Sequence, residues 1–140
     1  MVRKIAWLVV IVMMFSSTAV SASDSKKLAS ALFAAKKWLA LVDNEKYAES
    51  WKEAADLFRH MVQSDLWVAS LKALRKPLGK LISRKVKSEV YKTTLPGAPD
   101  GQYVVIEFKS SFEHKKTVVE TVTPMLGKDG VWRVSGYYIK

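Results

Sequence analysis

The chain has 140 residues, of which 49% are hydrophobic, and its 23 lysines and arginines against 13 acidic residues give a formal net charge of +10. It contains no cysteine, which excludes disulfides, thiolate metal sites and a lipid anchor attached through cysteine. A chain of this length fits one domain, and apolar burial must then supply its stability.

Residues 1–22 predict a secretory signal peptide. Arg3 and Lys4 give it a positive start, an uncharged apolar run follows, and small residues precede Ala22. The run is shorter than the roughly 20 residues that a membrane-spanning helix needs, so we expect cleavage after Ala22. An uncleaved signal anchor is the alternative. Residues 23–140 are then expected to form one exported domain that is soluble after cleavage.

Hydrophobic periodicity near 3.6 predicts three helices in the first half of that domain. Each has a residue suited to capping its start, and the last meets a proline and a glycine, which end or distort a helix. The predicted helices run from a cap at Ser25 to Asp43, from a cap at Asn44 to Met61, and from Ser64 or Asp65 to Pro77 and Gly79.

After Gly79 the periodicity changes to two, which predicts four strands. They are expected over residues 83–94, 102–112, 117–126 and 131–139. The connections are short and therefore favour antiparallel pairing. Helices followed by strands indicate an α+β fold, here with three N-terminal helices packed on a curved four-stranded antiparallel sheet.

Positive charge is concentrated between residues 72 and 92, where eight cations accompany one acid, Glu89. Such an excess attracts anions. For an exported protein these are lipid headgroups, phosphorylated glycans and acidic proteins, and nucleic acid is not expected. The segment therefore predicts a patch that docks on an anionic envelope surface, with a solvated face as the alternative. Its residues are Lys72, Arg75, Lys76, Lys80, Arg84, Lys85 and Lys87.

No motif in the sequence carries a recognisable chemistry. There is no Gly-x-Ser-x-Gly elbow, no cysteine nucleophile and no phosphate-binding glycine loop. The two histidines, His60 and His114, are not spaced as metal ligands, and we expect both to be exposed. Neither a metal nor a cofactor is predicted.

Glu120 is a weak catalytic candidate. It lies between Val118 and Val122 at a spacing of two, so it is buried if that face of the strand points inward. Burial would raise the pKa of its carboxyl, as a general base requires. The opposite face can equally be the inner one, and a salt bridge to Arg133 or plain exposure then explains Glu120.

Several aromatic residues fall on the apolar stripes of the predicted helices and strands. They are candidates for lining a pocket that holds a flat or lipidic ligand, and core packing is the alternative because stripes of this kind bury area in small domains. The candidates are Trp38, Trp51, Trp67, Phe108, Trp132 and Tyr138.

Several short patterns resemble known proteins. Asp129-Gly130-x-Trp132 looks like the closing strand of nuclear-transport-factor-2-like, cone-shaped α+β domains. The wider pattern resembles an exported bacterial family, the domain-of-unknown-function 4019 family, from about Ala31 to Lys140. That resemblance implies a Gram-negative periplasmic setting and supplies no catalytic residues. The wider pattern consists of Trp38-Leu39-x-Leu41-Val42-Asp43, Tyr47-x-x-Ser50-Trp51, Arg75-Lys76-Pro77-Leu78-Gly79, Leu95-Pro96-Gly97-Ala98-Pro99-Asp100-Gly101-x-Tyr103 and Glu120-Thr121-Val122-Thr123.

These observations favour a non-enzymatic periplasmic domain that binds a small apolar ligand or an envelope protein, with the basic patch facing an anionic surface. The alternative is a small enzyme of the cone class that uses Glu120 for proton transfer. A homodimer formed through exposed aromatic strands is left open.

Overall fold

A computed structural model describes residues 21–140, so the predicted signal peptide lies outside the described residues except for its last two. Helices come first and a four-stranded sheet follows, which confirms the α+β fold. No helix in the described range is long and apolar enough to cross a membrane. The elements are α1 (Ala22–Asp43), α2 (Tyr47–Lys52), α3 (Asp56–Met61), α4 (Ser64–Arg75), a 3₁₀ turn (Lys76–Leu78), β1 (Leu81–Lys92), β2 (Tyr103–Phe112), β3 (Lys115–Leu126) and β4 (Trp132–Ile139).

The four strands form an antiparallel sheet in the order β1-β2-β3-β4, so each strand pairs with its neighbour in sequence. The long helix α1 contacts all four strands and covers one face of the sheet. Phe108 of β2 lies opposite Val86 of β1 and Glu120 of β3. Because side chains alternate between the faces of a strand, all three point towards the face that α1 covers.

An aromatic cluster joins the helices to the sheet. The ring of Trp38 meets that of Tyr137 edge to face at 5.3 Å, and Phe58 meets Trp67 in the same way at 4.8 Å. The indole nitrogens of Trp38 and Trp67 both donate to Ser50, one to its backbone oxygen at 2.8 Å and the other to its hydroxyl at 3.0 Å. Buried indole N–H groups need such partners, and Ser50 thereby fixes both rings.

The predicted second helix is divided into α2 and α3, because the chain between them makes a contact with the sheet. Between them Ala54 and Ala55 are buried, and Ala55 is extended, with φ −61° and ψ 149°. Its N–H donates to the backbone oxygen of Val134 in β4 at 2.8 Å. The chain therefore leaves helical geometry to bond to the edge of the sheet, and the predicted stripe ends in an exposed Met61.

Two predicted helix caps are also wrong. Ser21, not Ser25, is the N-cap of α1, and its hydroxyl accepts from the N–H of Asp24 at 3.2 Å. Asn44 follows the end of α1, where its side chain donates to the backbone oxygen of Ala40 at 2.7 Å. The backbone N–H of Asn44 reaches the same oxygen at 3.1 Å, so Asn44 closes the end of α1 with two donors.

Candidate functional site

Glu120 lies on the inner face of β3 and is completely buried. One carboxylate oxygen accepts from Arg84 Nε at 2.7 Å and from the Ser110 hydroxyl at 2.5 Å. The other accepts from the hydroxyl of Tyr137 at 2.5 Å. The alternative salt bridge to Arg133 is wrong, because the guanidinium of Arg133 pairs instead with Asp129 in its own turn, at 2.8 Å.

Asp43, the last residue of α1, is the second carboxylate of the site. Its oxygens accept from Arg84 Nη1 at 2.7 Å and Nη2 at 3.0 Å, and from Arg75 Nη2 at 2.8 Å. Arg84 therefore joins a carboxylate of α1 to a carboxylate of β3 and uses all three of its nitrogens. Together Asp43, Arg75, Arg84, Ser110, Glu120 and Tyr137 form what we call the buried polar network.

The ionisation of the network follows from its contacts. Burial alone would raise the pKa of Asp43, but the hydrogen bonds and charges of Arg84 and Arg75 outweigh it and hold the pKa below the ordinary carboxyl value. Burial would likewise lower the pKa of Arg84, and its bonds to Asp43 and Glu120 raise it instead. Burial, with the neighbouring charge of Glu120, raises the pKa of the Tyr137 hydroxyl. Tyr137 therefore remains a hydrogen-bond donor at physiological pH.

The network is balanced in charge, with two guanidinium groups and two carboxylates. Each carboxylate accepts three hydrogen bonds from side chains of the network. Glu120 lines none of the five best-formed clefts in residues 21–140. The arrangement holds α1, β1, β3 and β4 in fixed relation, with Glu120 fully buried inside it.

Arg75 differs from the rest of the network. Its Nε and Nη1 are shielded from solvent and have no acceptor among residues 21–140. The central carbon of its guanidinium lies over the ring of Phe112, 4.8 Å from the ring centroid. Arg75 also forms part of the wall of a cleft of about 670 Å³, together with Tyr47, Lys76 and Lys80. We call this the Arg75 cleft.

A comparison with protein-family models gives a match over residues 34–137 to a protein of unknown function, DUF4019. The chain belongs to this family. The match takes in the second half of α1, the other helices and nearly the whole sheet. A comparison with the curated proteins gives no match. The family description assigns no activity.

The predicted basic patch is divided by the structure. Arg75 is buried and Arg84 is partly buried in the polar network, where both pair with carboxylates, so the structure places neither on an exposed surface. Guanidinium groups suit such positions because one planar group can donate to several carboxylate oxygens at once. The five lysines are exposed, and within residues 21–140 only Lys87 has an acidic partner, Glu107 at 3.5 Å.

Four lysines of the patch have no acidic partner in the described range, and they lie on α4, in and just after the 3₁₀ turn, and on β1. Lys72 and Lys76 line a cleft beside α4, and Lys76 and Lys80 line the Arg75 cleft. Lys85 lies farther along β1, paired in register with Lys109 of β2. We call Lys72, Lys76, Lys80 and Lys85 the lysine surface.

The six aromatic pocket candidates of this DUF4019 member are not brought together in one cavity. Trp38, Trp67 and Phe108 are buried in the core, and Tyr138 is half exposed. Trp51 is partly buried, and its indole nitrogen donates to the backbone oxygen of Val62 at 2.7 Å. Among the best-formed clefts of residues 21–140, one is lined by two of the candidates, Trp38 and Trp132, and is an open groove of about 590 Å³ between α1 and β4.

The two histidines are both exposed. Among residues 21–140 no group of three or more histidine, aspartate or glutamate side chains is placed to hold a metal ion. The distinctive polar features of the described residues are therefore the buried polar network, the Arg75 cleft and the lysine surface.

Proposed function

We propose that this protein is a non-enzymatic binding domain that, after export, docks on an anionic envelope surface through the lysine surface. The observation that supports this is the division of the basic segment. Its arginines are taken up by internal carboxylates, whereas Lys72, Lys76, Lys80 and Lys85 are exposed and have no acidic partner within 4.0 Å in residues 21–140. Their charge is therefore free to act on a partner.

The strength of such docking follows from general electrostatics. A lysine near an anionic membrane surface contributes about 1 kcal/mol. The interaction is screened over about 10 Å at an ionic strength near 0.1 M. Four lysines give useful but reversible binding that weakens as salt is added. The export of the domain rests on the sequence of residues 1–22 and on the family resemblance.

The alternative of a proton-transfer enzyme has less support. A general base needs an oxygen within hydrogen-bond reach of its substrate. Both oxygens of Glu120 already accept hydrogen bonds from Arg84, Ser110 and Tyr137, and its side chain is not exposed. A structural role for Glu120 accounts for all of these contacts.

Binding to lipid vesicles tests the docking proposal. The purified protein is sedimented with phosphatidylglycerol vesicles and, separately, with phosphatidylcholine vesicles at increasing salt. We expect binding to the anionic vesicles only, with a steep loss as salt rises. The variant Lys72→Glu/Lys85→Glu should lose most of this binding. It changes the lysine surface without altering any residue that lines the Arg75 cleft.

The matched control is Lys26→Glu/Lys128→Glu. These lysines are also exposed, and they lie on α1 and in the β3–β4 turn, outside the basic segment. The control makes the same change in net charge and should keep most of the binding. Equal losses in the two variants would mean that only net charge matters, and absence of binding by the unaltered protein would end the proposal.

A further inference from the structure

We propose that the Arg75 cleft binds an oxyanion group, a carboxylate or a phosphate, which accepts hydrogen bonds from the guanidinium of Arg75. The inference goes beyond docking on a surface, because it concerns a defined cleft and a buried side chain. It also rests on a different observation, the unused donors of Arg75.

The two arginines of the network differ in how many of their nitrogens donate hydrogen bonds. Arg84 donates from Nε, Nη1 and Nη2, and every one of these bonds ends on Asp43 or Glu120. Arg75 donates only from Nη2, to Asp43. Its Nε and Nη1 are shielded and have no acceptor among residues 21–140. An unsatisfied buried donor is costly, so an acceptor that enters the cleft, with a small movement of the Arg75 side chain to reach it, would complete the network.

The two carboxylates of the network already accept hydrogen bonds from other donors. Asp43 takes three hydrogen bonds and Glu120 takes three, all from side chains of the network. The guanidinium carbon of Arg75 lies over the Phe112 ring, 4.8 Å from its centroid, and an aromatic ring is at most a weak acceptor. Nε and Nη1 of Arg75 therefore remain without a strong acceptor among residues 21–140.

The cleft beside Arg75 has the size and polarity for a small ligand. Its volume of about 670 Å³ lies in the usual range for ligand sites, roughly 300–1,000 Å³. Lys76 and Lys80 line it, and neither has an ion pair within residues 21–140. Glu113, on the same cleft, accepts from the backbone N–H of Lys80 at 2.7 Å. Both ammonium groups are therefore free to assist Arg75.

Net charge does not select the ligand, because the cleft is lined by three cations and three acids, namely Arg75, Lys76, Lys80, Asp43, Glu45 and Glu113. Selection comes instead from the directed donors of Arg75. Salt screens a buried contact less than an exposed one. Binding in the cleft should therefore depend on salt less steeply than vesicle docking does.

The test follows the side-chain N–H at Nε of Arg75 by ¹⁵N–¹H nuclear magnetic resonance. The probes are inorganic phosphate, acetate and glycerol 3-phosphate, which represent a free phosphate, a carboxylate and a lipid headgroup. We expect a saturable downfield shift of this proton with at least one probe. The probe that saturates at the lowest concentration identifies the source of the oxyanion.

Arg59 provides a control in the same spectrum. Its Nε is also shielded without an acceptor in the described range, but Arg59 lies on α3 and does not line the Arg75 cleft. The proposal is overturned if the Arg75 signal does not shift at a lower probe concentration than the Arg59 signal does. That result would mean that water alone completes the network. Because this comparison uses the unaltered protein, it does not depend on a variant that folds.

Two variants separate this proposal from surface docking. Arg75→Lys keeps the positive charge but removes Nε and Nη1, so it should weaken probe binding at least tenfold, whereas the matched Arg59→Lys should not. Lys72→Glu/Lys85→Glu should keep probe binding while it loses vesicle binding. Probe binding that survives Arg75→Lys unchanged would overturn the assignment of the site to Arg75.

Discussion

Arg84 and Lys85 are neighbours on β1, carry the same charge and have opposite surroundings. The guanidinium of Arg84 is partly buried between Asp43 and Glu120, and the ammonium of Lys85 is exposed. An arginine can satisfy two carboxylates through a planar set of donors, whereas a lysine carries a compact and strongly hydrated charge. One basic segment therefore supplies both an internal clamp and an outer surface, and its charge count alone does not distinguish them.

The largest effect expected from this contrast is on stability. Arg84→Met removes one partner from the buried carboxylate of Glu120 and from the partly buried carboxylate of Asp43, and breaking a buried ion pair in this way costs about 3–5 kcal/mol. Lys85→Met, one residue along, should change the free energy of unfolding by no more than about 0.5 kcal/mol. Urea denaturation of both variants measures the difference. If the two variants were equally stable, Arg84 would not be the clamp described above.

A smaller effect is expected at the next pair of neighbours, Tyr137 and Tyr138. Tyr137→Phe removes a donor from the buried carboxylate of Glu120, which should lower the free energy of unfolding by about 1–3 kcal/mol. Tyr138 is half exposed, so Tyr138→Phe should stay within about 0.5 kcal/mol of the unaltered protein. The same denaturation measurement applies, and a reversed order would contradict the network.

The smallest effect concerns the pH dependence of stability. The folded pKa of Asp43 lies below its ordinary value of 3.8. Its carboxylate therefore contributes stability that is complete above pH 3.8 and is lost as pH falls through the lower folded pKa. Stability should fall more steeply with acid in the unaltered protein than in Asp43→Asn. Denaturation at a series of pH values below neutrality measures this slope.

Asp129 is the matched control for that measurement, because it forms an exposed ion pair with Arg133. Its hydrogen bond from Arg133, together with one from the N–H of Val131, lowers the pKa of Asp129 to about 2. Salt screens exposed pairs more than buried ones. Each variant removes part of the dependence of stability on pH. The part that Asp129→Asn removes should therefore shrink at high salt, and the part that Asp43→Asn removes should persist. Equal salt sensitivity would show that Asp43 is not shielded.

Much of the fold could be predicted from periodicity. The change in hydrophobic period from 3.6 to two residues after Gly79 separates the helices from the strands. The predicted strand over residues 102–112 differs from β2 by one residue. The division of the second helix could not be predicted, because it depends on a hydrogen bond between Ala55 and Val134, which lie far apart in sequence. The likeness to nuclear-transport-factor-2-like cones stays a prediction.

The site was predicted only in part. Both faces of β3 carry apolar or β-branched residues, so the sequence alone did not decide whether Glu120 or Thr121 points inward. Arg84 was missed as its partner, although it shares the inward face of β1 with Val86, whose register partner Phe108 is in the core. A charged residue at an inward strand position is the signal that points to a buried pair.

The bond from Ala55 to Val134 bears on how copies of this chain can associate. β4 is one edge of the sheet, and the outward-facing oxygen of Val134 is already occupied, so an added strand cannot run the length of β4 without breaking that bond. Within residues 21–140, only β1 offers an edge free of such a bond. If two copies joined along β1, each copy would use its one free edge. Growth by strand addition would then end at a closed pair rather than continue into a fibre.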